Sequence, residues 1–202
     1  MNHFPLNYIE PIFRPPSEAR SLILQISNGC SHNECTFCDM YTAEQKKFSA
    51  KKEIEVFDEI KKVSKIPNIK RIFLADGDAL VLPTRRLIQI LEAIKLYLPW
   101  VRRVSSYCLP RNIRKKSVED LAKLQELGLG MAYVGAESGD DQVLEFINKG
   151  ETYESTLSAL TKLKQAGIKT SVMILNGMGG MKYSQQHAEN SARLMNEAQP
   201  DY

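Results

Sequence analysis

Five short runs rich in β-branched and aromatic residues, at 22–26, 71–75, 103–107, 131–136 and 170–175, are each followed by a stretch with helical periodicity. This alternation restricts the chain more than any other feature, because it is the pattern of parallel strands joined by helical crossovers. Strand centres stand about 30 to 50 residues apart, room for a helix every time, and such crossovers are right-handed. The first helix places Val56, Phe57, Ile60 and Val63 on one face, and the second Leu87, Leu91, Ile94 and Leu98. Both faces are expected to pack on the sheet. Ser117 with Asp120 has the spacing of a capping box opening a third helix, which carries Leu121, Leu124 and Leu127 and closes at Gly128. Residues 152–165 and 184–198 read as two further helices, with a helical turn over 140–147.

Repeated βα units of one hand either curl into a barrel or lie flat as a doubly wound sheet. Polar or glycine-rich residues follow four of the strands: Asn28-Gly29-Cys30, Asp76-Gly77-Asp78, Glu137-Ser138-Gly139 and Asn176-Gly177. A barrel with its site at the C-terminal strand ends predicts that placement. The expected fold is therefore α/β, an open partial (β/α)6 TIM-like barrel of parallel strands and outer helices. Pro200-Asp201-Tyr202 falls where a further strand is expected, so the chain is read as truncated before or at the sixth strand, leaving a sheet edge open. Residues 1–20, with Pro5, Pro11, Pro15 and Pro16, are expected to be an extended N-terminal segment, and 21–202 the core domain, incomplete at its C-terminal end. No internal repeat is visible.

Of 202 residues 43% are apolar and 25% charged, which argues against disordered, collagen-like and coiled-coil classes. A chain of this size buries about 70% of its unfolded surface and needs no metal merely to fold, so any metal would serve chemistry. Apolar runs such as Val172-Met173-Ile174-Leu175 are four residues long, against the roughly 20 of a membrane span. The N-terminus has no basic stretch leading an apolar one. The expected location is the cytoplasm, with no membrane partner. Lys plus Arg exceeds Asp plus Glu by 27 − 24 = +3, and only Arg111, Arg114, Lys115 and Lys116 cluster. That group is expected to be solvated, and a nucleic-acid partner is possible but not indicated.

Cys30, Cys35 and Cys38 are bunched directly after the first strand, whereas Cys108 stands alone near the end of the third. Three thiols in a reducing compartment suggest a metal or redox site ahead of a disulfide framework. Thiolates favour zinc or iron–sulfur clusters. His32 would complete a Cys3His set for a structural zinc or interaction module. Cys35-x-x-Cys38 beside a βα unit has the spacing of a thiol–disulfide oxidoreductase. A four-iron cluster held by three cysteines leaves one iron open for a substrate or cofactor.

The stretch Gly29-Cys30-Ser31-His32-Asn33-Glu34-Cys35-Thr36-Phe37-Cys38-Asp39-Met40-Tyr41 resembles the signature loop of the radical S-adenosylmethionine (SAM) superfamily, a cysteine triplet after the first strand with an aromatic before the last cysteine. The commonest spacing in that superfamily is Cys-x3-Cys-x2-Cys; here it is Cys-x4-Cys-x2-Cys. The resemblance runs over about 22–179. Asp76-Gly77-Asp78 matches the Gly-Gly-Glu-like turn that binds SAM's amino group. Gly135-Ala136-Glu137-Ser138-Gly139-Asp140, with Ile147-Asn148-Lys149-Gly150 beyond, is similar to a stretch shared by the branch of tRNA methylthiotransferases, Elongator-type enzymes and oxygen-independent coproporphyrinogen dehydrogenases. There Glu137 would face SAM, with Ser138 as a weaker neighbour. Asn176-Gly177-Met178-Gly179-Gly180 resembles the segment under the adenine ring, and Phe37 would be the stronger adenine contact.

What the resemblance implies is an enzyme whose [4Fe-4S] cluster, on Cys30, Cys35 and Cys38, binds SAM and cleaves it reductively to methionine and a 5′-deoxyadenosyl radical, which abstracts hydrogen from an unknown substrate. An electron donor of flavodoxin or ferredoxin type is implied. Outside the motifs, Cys108 is expected to be a packed core residue, as isolated thiols usually are. Ser105 and Arg111 are candidates for polar contacts at the end of the third strand. His3 and His187 are expected at the surface.

Overall fold

The structure, a computed structural model, describes residues 6–202, so His3 lies outside the described residues. Five parallel strands form one sheet in the order β1 (Leu22–Gln25), β4 (Arg71–Ala75), β5 (Arg103–Cys108), β6 (Leu129–Glu137) and β7 (Lys169–Ile174). Between the first two lies a small antiparallel pair, β2 (Ser27–Asn28) with β3 (Ser49–Ala50). Each long strand pairs with the next in sequence, and nowhere does the order reverse. A doubly wound sheet has such a reversal at its ligand crevice. The unreversed order is that of a barrel wall, as expected.

Helices α1 (Glu53–Val63), α2 (Thr84–Tyr97), α4 (Val118–Glu126), α6 (Tyr153–Gln165) and α7 (Ser184–Ala198) follow the strands, with short helices α3 (Pro110–Arg114) and α5 (Asp141–Phe146) at two turns. The periodic apolar positions face inward. Val56, Ile60 and Val63 of α1, Leu87, Leu91 and Ile94 of α2, and Leu121 and Leu124 of α4 pack with Leu24, Ile72, Leu74, Val104 and Val134 of the sheet. Alternate strand residues turn the other way, as the period of two requires. Phe73, Ala75, Met131 and Tyr133 form a separate cluster on the concave face, joined by Ile12 of the N-terminal segment. The Ser117 hydroxyl accepts from the Asp120 amide at 3.1 Å and opens α4 as expected. Thr152 caps α6 in the same manner. Helix α3 has no counterpart in the periodicity, being one turn long and entered through Pro110 at N1.

Residues 6–15 form neither helix nor strand, a 3-10 turn follows at Pro16–Glu18, and this stretch lies against the sheet. Tyr8 donates to the Ile23 carbonyl at 2.8 Å, and Glu18, fully buried, accepts from Arg103 at 2.6 Å and Tyr133 at 2.8 Å. The outer edge of β7 is partly paired. The Tyr202 amide donates to the Thr170 carbonyl at 3.1 Å and the Val172 amide to the Tyr202 carbonyl at 2.9 Å, the pattern of a neighbouring parallel strand. Among the described residues no helix is long and apolar enough to cross a membrane.

Candidate functional site

Because the strands are parallel, their C-terminal ends share one rim of the sheet. The loop carrying Cys30, Cys35 and Cys38 follows β1 and β2 there, and all three thiols are half-buried and unpaired. Burial raises the Cys30 thiol pKa, with the Asp78 carboxylate adding to the rise; burial raises Cys35 as well, and the Lys149 cation opposes it. Both thiols favour the protonated form until a cation displaces the proton.

The turn after β4 carries the loop. A Cβ on Gly77 would stand 2.7 Å from the Tyr41 ring and 2.9 Å from Cys30 Cβ, so the loop seats on a position that only glycine leaves open. Asp76 and Asp78 flank it, both fully buried. Asp76 pairs with the equally buried Lys46 ammonium and accepts from Gln25 Nε2 at 3.2 Å and the Gly29 amide at 3.3 Å. Asp78 accepts from the Ser31 amide at 2.8 Å, from the Ser31 hydroxyl, and from Asn112 Nδ2 at 3.0 Å. The two carboxylates thus hold the backbone on either side of Cys30. Their side chains are turned into the protein and both residues are fully buried, so Gly77 is the one partly exposed residue of the turn.

Glu137 ends β6 with φ of +66°, a conformation uncommon outside glycine, where the pairing with β7 shifts register. Its carboxylate folds back over Gly135 and accepts from Lys149 Nζ at 3.1 Å, both side chains nearly buried. Lys149 also stands 5.8 Å from the centre of the Phe37 ring. One cation therefore links the cysteine loop to the end of β6. The Ser138 hydroxyl is buried, lies 2.8 Å from His187 Nδ1 and accepts from the Asp140 amide at 3.0 Å. It ties the β6 turn to α7. His187, expected at the surface, is 5% exposed, on the face of α7 that meets Ser138. Gly177 is exposed, with φ of +84° and no atom within 4 Å of where a Cβ would be.

Two of the four clustered basic residues expected to be solvated are not. Lys116 is buried and donates to the Leu82 carbonyl at 3.0 Å, and Arg111 pairs with Glu151 at 2.8 Å. The partners come from the turns before α2 and α6, which proximity in sequence does not reveal. Arg114 and Lys115 are exposed. The Ser105 hydroxyl is buried within the sheet, 3.4 Å from the Ile72 carbonyl, and not at a strand end. Cys108 is 2% exposed, packed in the core as expected. Lys46, Lys149 and Asn112 are the site residues to which the sequence assigned no role. Lys149 had a signal, its place in the Asn-Lys-Gly stretch; Lys46 and Asn112 are singled out only by the fold.

Both ring nitrogens of His32 are engaged by protein groups, Nε2 at 2.7 Å from the Asn148 carbonyl and Nδ1 at 3.1 Å from Arg111. As placed, the imidazole has no lone pair to complete a Cys3His zinc set. Among the described residues no three Cys, His, Asp or Glu side chains are gathered around one point as a single ion would require. A cluster of several irons asks for thiolates around its corners instead, and three soft donors on one half-buried loop suit it.

A family model described as the radical SAM superfamily matches residues 24–195. The 4′-phospho-dehydrooxetanocin synthase of Priestia megaterium is 27% identical over 197 residues, which is 87% of this chain and 26% of that protein. The structure of OxsB, a cobalamin-dependent SAM radical enzyme with aqua-cobalamin bound, aligns with a TM-score of 0.71 at 21% identity, over 86% of this chain and 26% of that one. Coproporphyrinogen III oxidase from Escherichia coli, described as a radical SAM enzyme, aligns with a TM-score of 0.62 at 16% identity, over 90% and 42%. The chain thus spans about a quarter of the length of the curated relative named here. Enzymes of the matched family use a [4Fe-4S] cluster and SAM. With its cysteine loop after the first strand of an unreversed parallel sheet, this chain belongs to the radical SAM superfamily.

Proposed function

We propose that this chain is the core of a radical SAM enzyme in which Cys30, Cys35 and Cys38 hold a [4Fe-4S] cluster over the C-terminal rim of the sheet. When bound, cluster and SAM together supply one-electron cleavage of SAM and a radical that abstracts hydrogen from the substrate. The observation that carries the reading is three soft, half-buried thiols on one loop, with Cys30 packed on Gly77 at the end of β4.

The chain's own residues have distinct tasks in this reading. Asp76 and Asp78 fix Cys30 through the Gly29 and Ser31 amides, while the backbone of Gly77, the one partly exposed residue of that turn, meets SAM's ammonium. Glu137, held by Lys149, offers its second carboxylate oxygen toward SAM, and Ser138 keeps that turn docked on α7. Phe37 supplies a face for the adenine, and the open surface at Gly177 lets the ring's other side approach the backbone. An electron donor of flavodoxin or ferredoxin type completes the system, which we place in the cytoplasm. Substrate selection falls to parts outside this core.

The test is iron and acid-labile sulfide analysis after anaerobic reconstitution, on the chain and on Cys30→Ala, Cys35→Ala and Cys38→Ala. The reading predicts about four irons and four sulfides per chain, lost in each variant. Iron retained by the Cys30→Ala variant would refute a three-thiolate site and favour chemistry confined to Cys35 and Cys38. One zinc per chain that survives reconstitution would refute the cluster.

A further inference from the structure

The spacing between Cys30 and Cys35 leaves four residues to be accommodated: Ser31 bonds to Asp78, the Asn33 side chain donates to the Tyr41 carbonyl, and His32 and Glu34 turn to the stretch 147–150. His32 reaches to the turn between α5 and α6, where Nε2 lies 2.7 Å from the Asn148 carbonyl. Its Nδ1 lies 3.1 Å from Arg111 Nη1. A guanidinium can only donate, so Nδ1 accepts and Nε2 carries the proton given to the carbonyl. Arg111 is itself fixed. Its Nη2 donates to the Gly150 carbonyl at 2.7 Å and the Lys149 carbonyl at 3.2 Å, and its Nε to Glu151 at 2.8 Å. A Cβ on Gly150 would stand 2.4 Å from that Nη2 and 2.9 Å from His32 Cε1, so the turn has no side chain where the two rest.

Two more bonds lie alongside. The Thr36 amide donates to the Ile147 carbonyl at 3.0 Å, and Asn148 Nδ2 donates to the Glu34 carbonyl at 2.9 Å. The cysteine loop is therefore held from two sides. Cys30 is fixed from β4, through Gly29 and Ser31; the stretch from 32 to 36, leading into Cys35 and Cys38, is fixed from 147–150. His32 stands where one support gives way to the other.

We propose that His32 and Arg111 are positioning residues that set Cys35 and Cys38 relative to Cys30, with the imidazole serving as a two-ended hydrogen-bonding pin and not as a metal ligand. The use to which that spacing is put rests on the cluster reading, but the pin itself is a property of the metal-free chain. Losing it frees the 32–36 side while the Asp76 and Asp78 contacts keep Cys30 in place.

The experiment is timed alkylation of the reduced, metal-free chain with iodoacetamide, read thiol by thiol by mass spectrometry. Buried Cys108 is the internal monitor of global folding. In His32→Ala, Cys35 and Cys38 should react roughly tenfold faster, the scale of losing hydrogen bonds that include a charged donor. Cys30 should stay within about twofold and Cys108 unreactive. His32→Gln, which keeps one donor and one acceptor, should recover most of the protection. Arg111→Lys, lacking the fork that spans the imidazole and two carbonyls, should fall between. An unchanged Cys35 rate in His32→Ala overturns the proposal, and so does equal acceleration of Cys30, Cys35 and Cys38. If Cys108 reacts in His32→Ala, His32→Gln and Arg111→Lys decide: Cys35 rates equal to those of the parent chain in both overturn the proposal. Iron retention under chelator challenge is the second readout, predicted to fall in the order parent, His32→Gln, Arg111→Lys, His32→Ala. A chain that takes up no iron yet shows the alkylation contrast would refute the cluster reading and leave the pin standing.

Discussion

Replacing Lys46 by Met keeps the length of the side chain and removes its charge, and the structure predicts a large, pH-dependent loss of stability. Lys46 and Asp76 are both fully buried and paired, and Lys46 also donates to the Ile9 carbonyl at 2.9 Å. Removing one member of a buried pair costs about 3–5 kcal/mol, because the other charge is left without compensation. Against a total stability of about 5–15 kcal/mol, urea midpoints resolve this easily. The sign of the pH dependence follows from Asp76. Burial raises its carboxyl above the ordinary aspartate value while the Lys46 ammonium pulls it down, so without Lys46 it rises further. A carboxyl with a raised folded-state pKa gives stability that is present below the unfolded value of about 3.9 and lost as pH climbs toward the folded value, by about 1.4 kcal/mol per unit. The deficit of Lys46→Met should therefore grow as pH rises and shrink as it falls toward the unfolded aspartate value, by no more than about 1.4 kcal/mol per pH unit. A variant within about 1 kcal/mol of the parent, with a parallel pH profile, would show that water reaches the pair and refute the reasoning.

Other expectations concern the N-terminal segment and the core thiol. Glu18→Gln should cost about 2–4 kcal/mol in urea unfolding, since it leaves Arg103 facing a neutral amide, whereas Tyr133→Phe should cost only about 1 kcal/mol. The reverse order would place the strength of that network in the hydroxyl. Cys108→Ala should leave the iron content of the reconstituted chain unchanged and lower stability by about 1 kcal/mol, through lost packing alone. Iron loss in a variant that melts like the parent would make Cys108 part of the site.

The fold was legible because its period-two strands and amphipathic helices are local signals: β4 and α7 coincide with the expected runs, and the other strands differ by a residue or two at their ends. The thiol loop was legible for the same reason, three cysteines in one short stretch. What periodicity did not show were contacts between distant loops. Lys46, thirty residues from Asp76, carries no mark that it is buried, and the pairing arises only when β4 lies beside β1. His187 looked like an exposed helix residue because its partner, Ser138, is 49 positions away. Arg111 and Lys116 looked solvated because a cluster of like charges in sequence says nothing about the carboxylate and carbonyl that receive them in space. Asp76 and Asp78 were legible as a turn at the site but not in orientation, since only the packed loop shows their carboxylates bonded to backbone around Cys30.

The most direct test of the central claim is to reduce the anaerobically reconstituted chain with dithionite in the presence of SAM and to quantify 5′-deoxyadenosine and methionine by chromatography. The account predicts both products in equal amounts, dependent on reductant and absent in Cys35→Ala. A chain loaded with four irons that leaves SAM intact, or one that yields the products without Cys35, would contradict it.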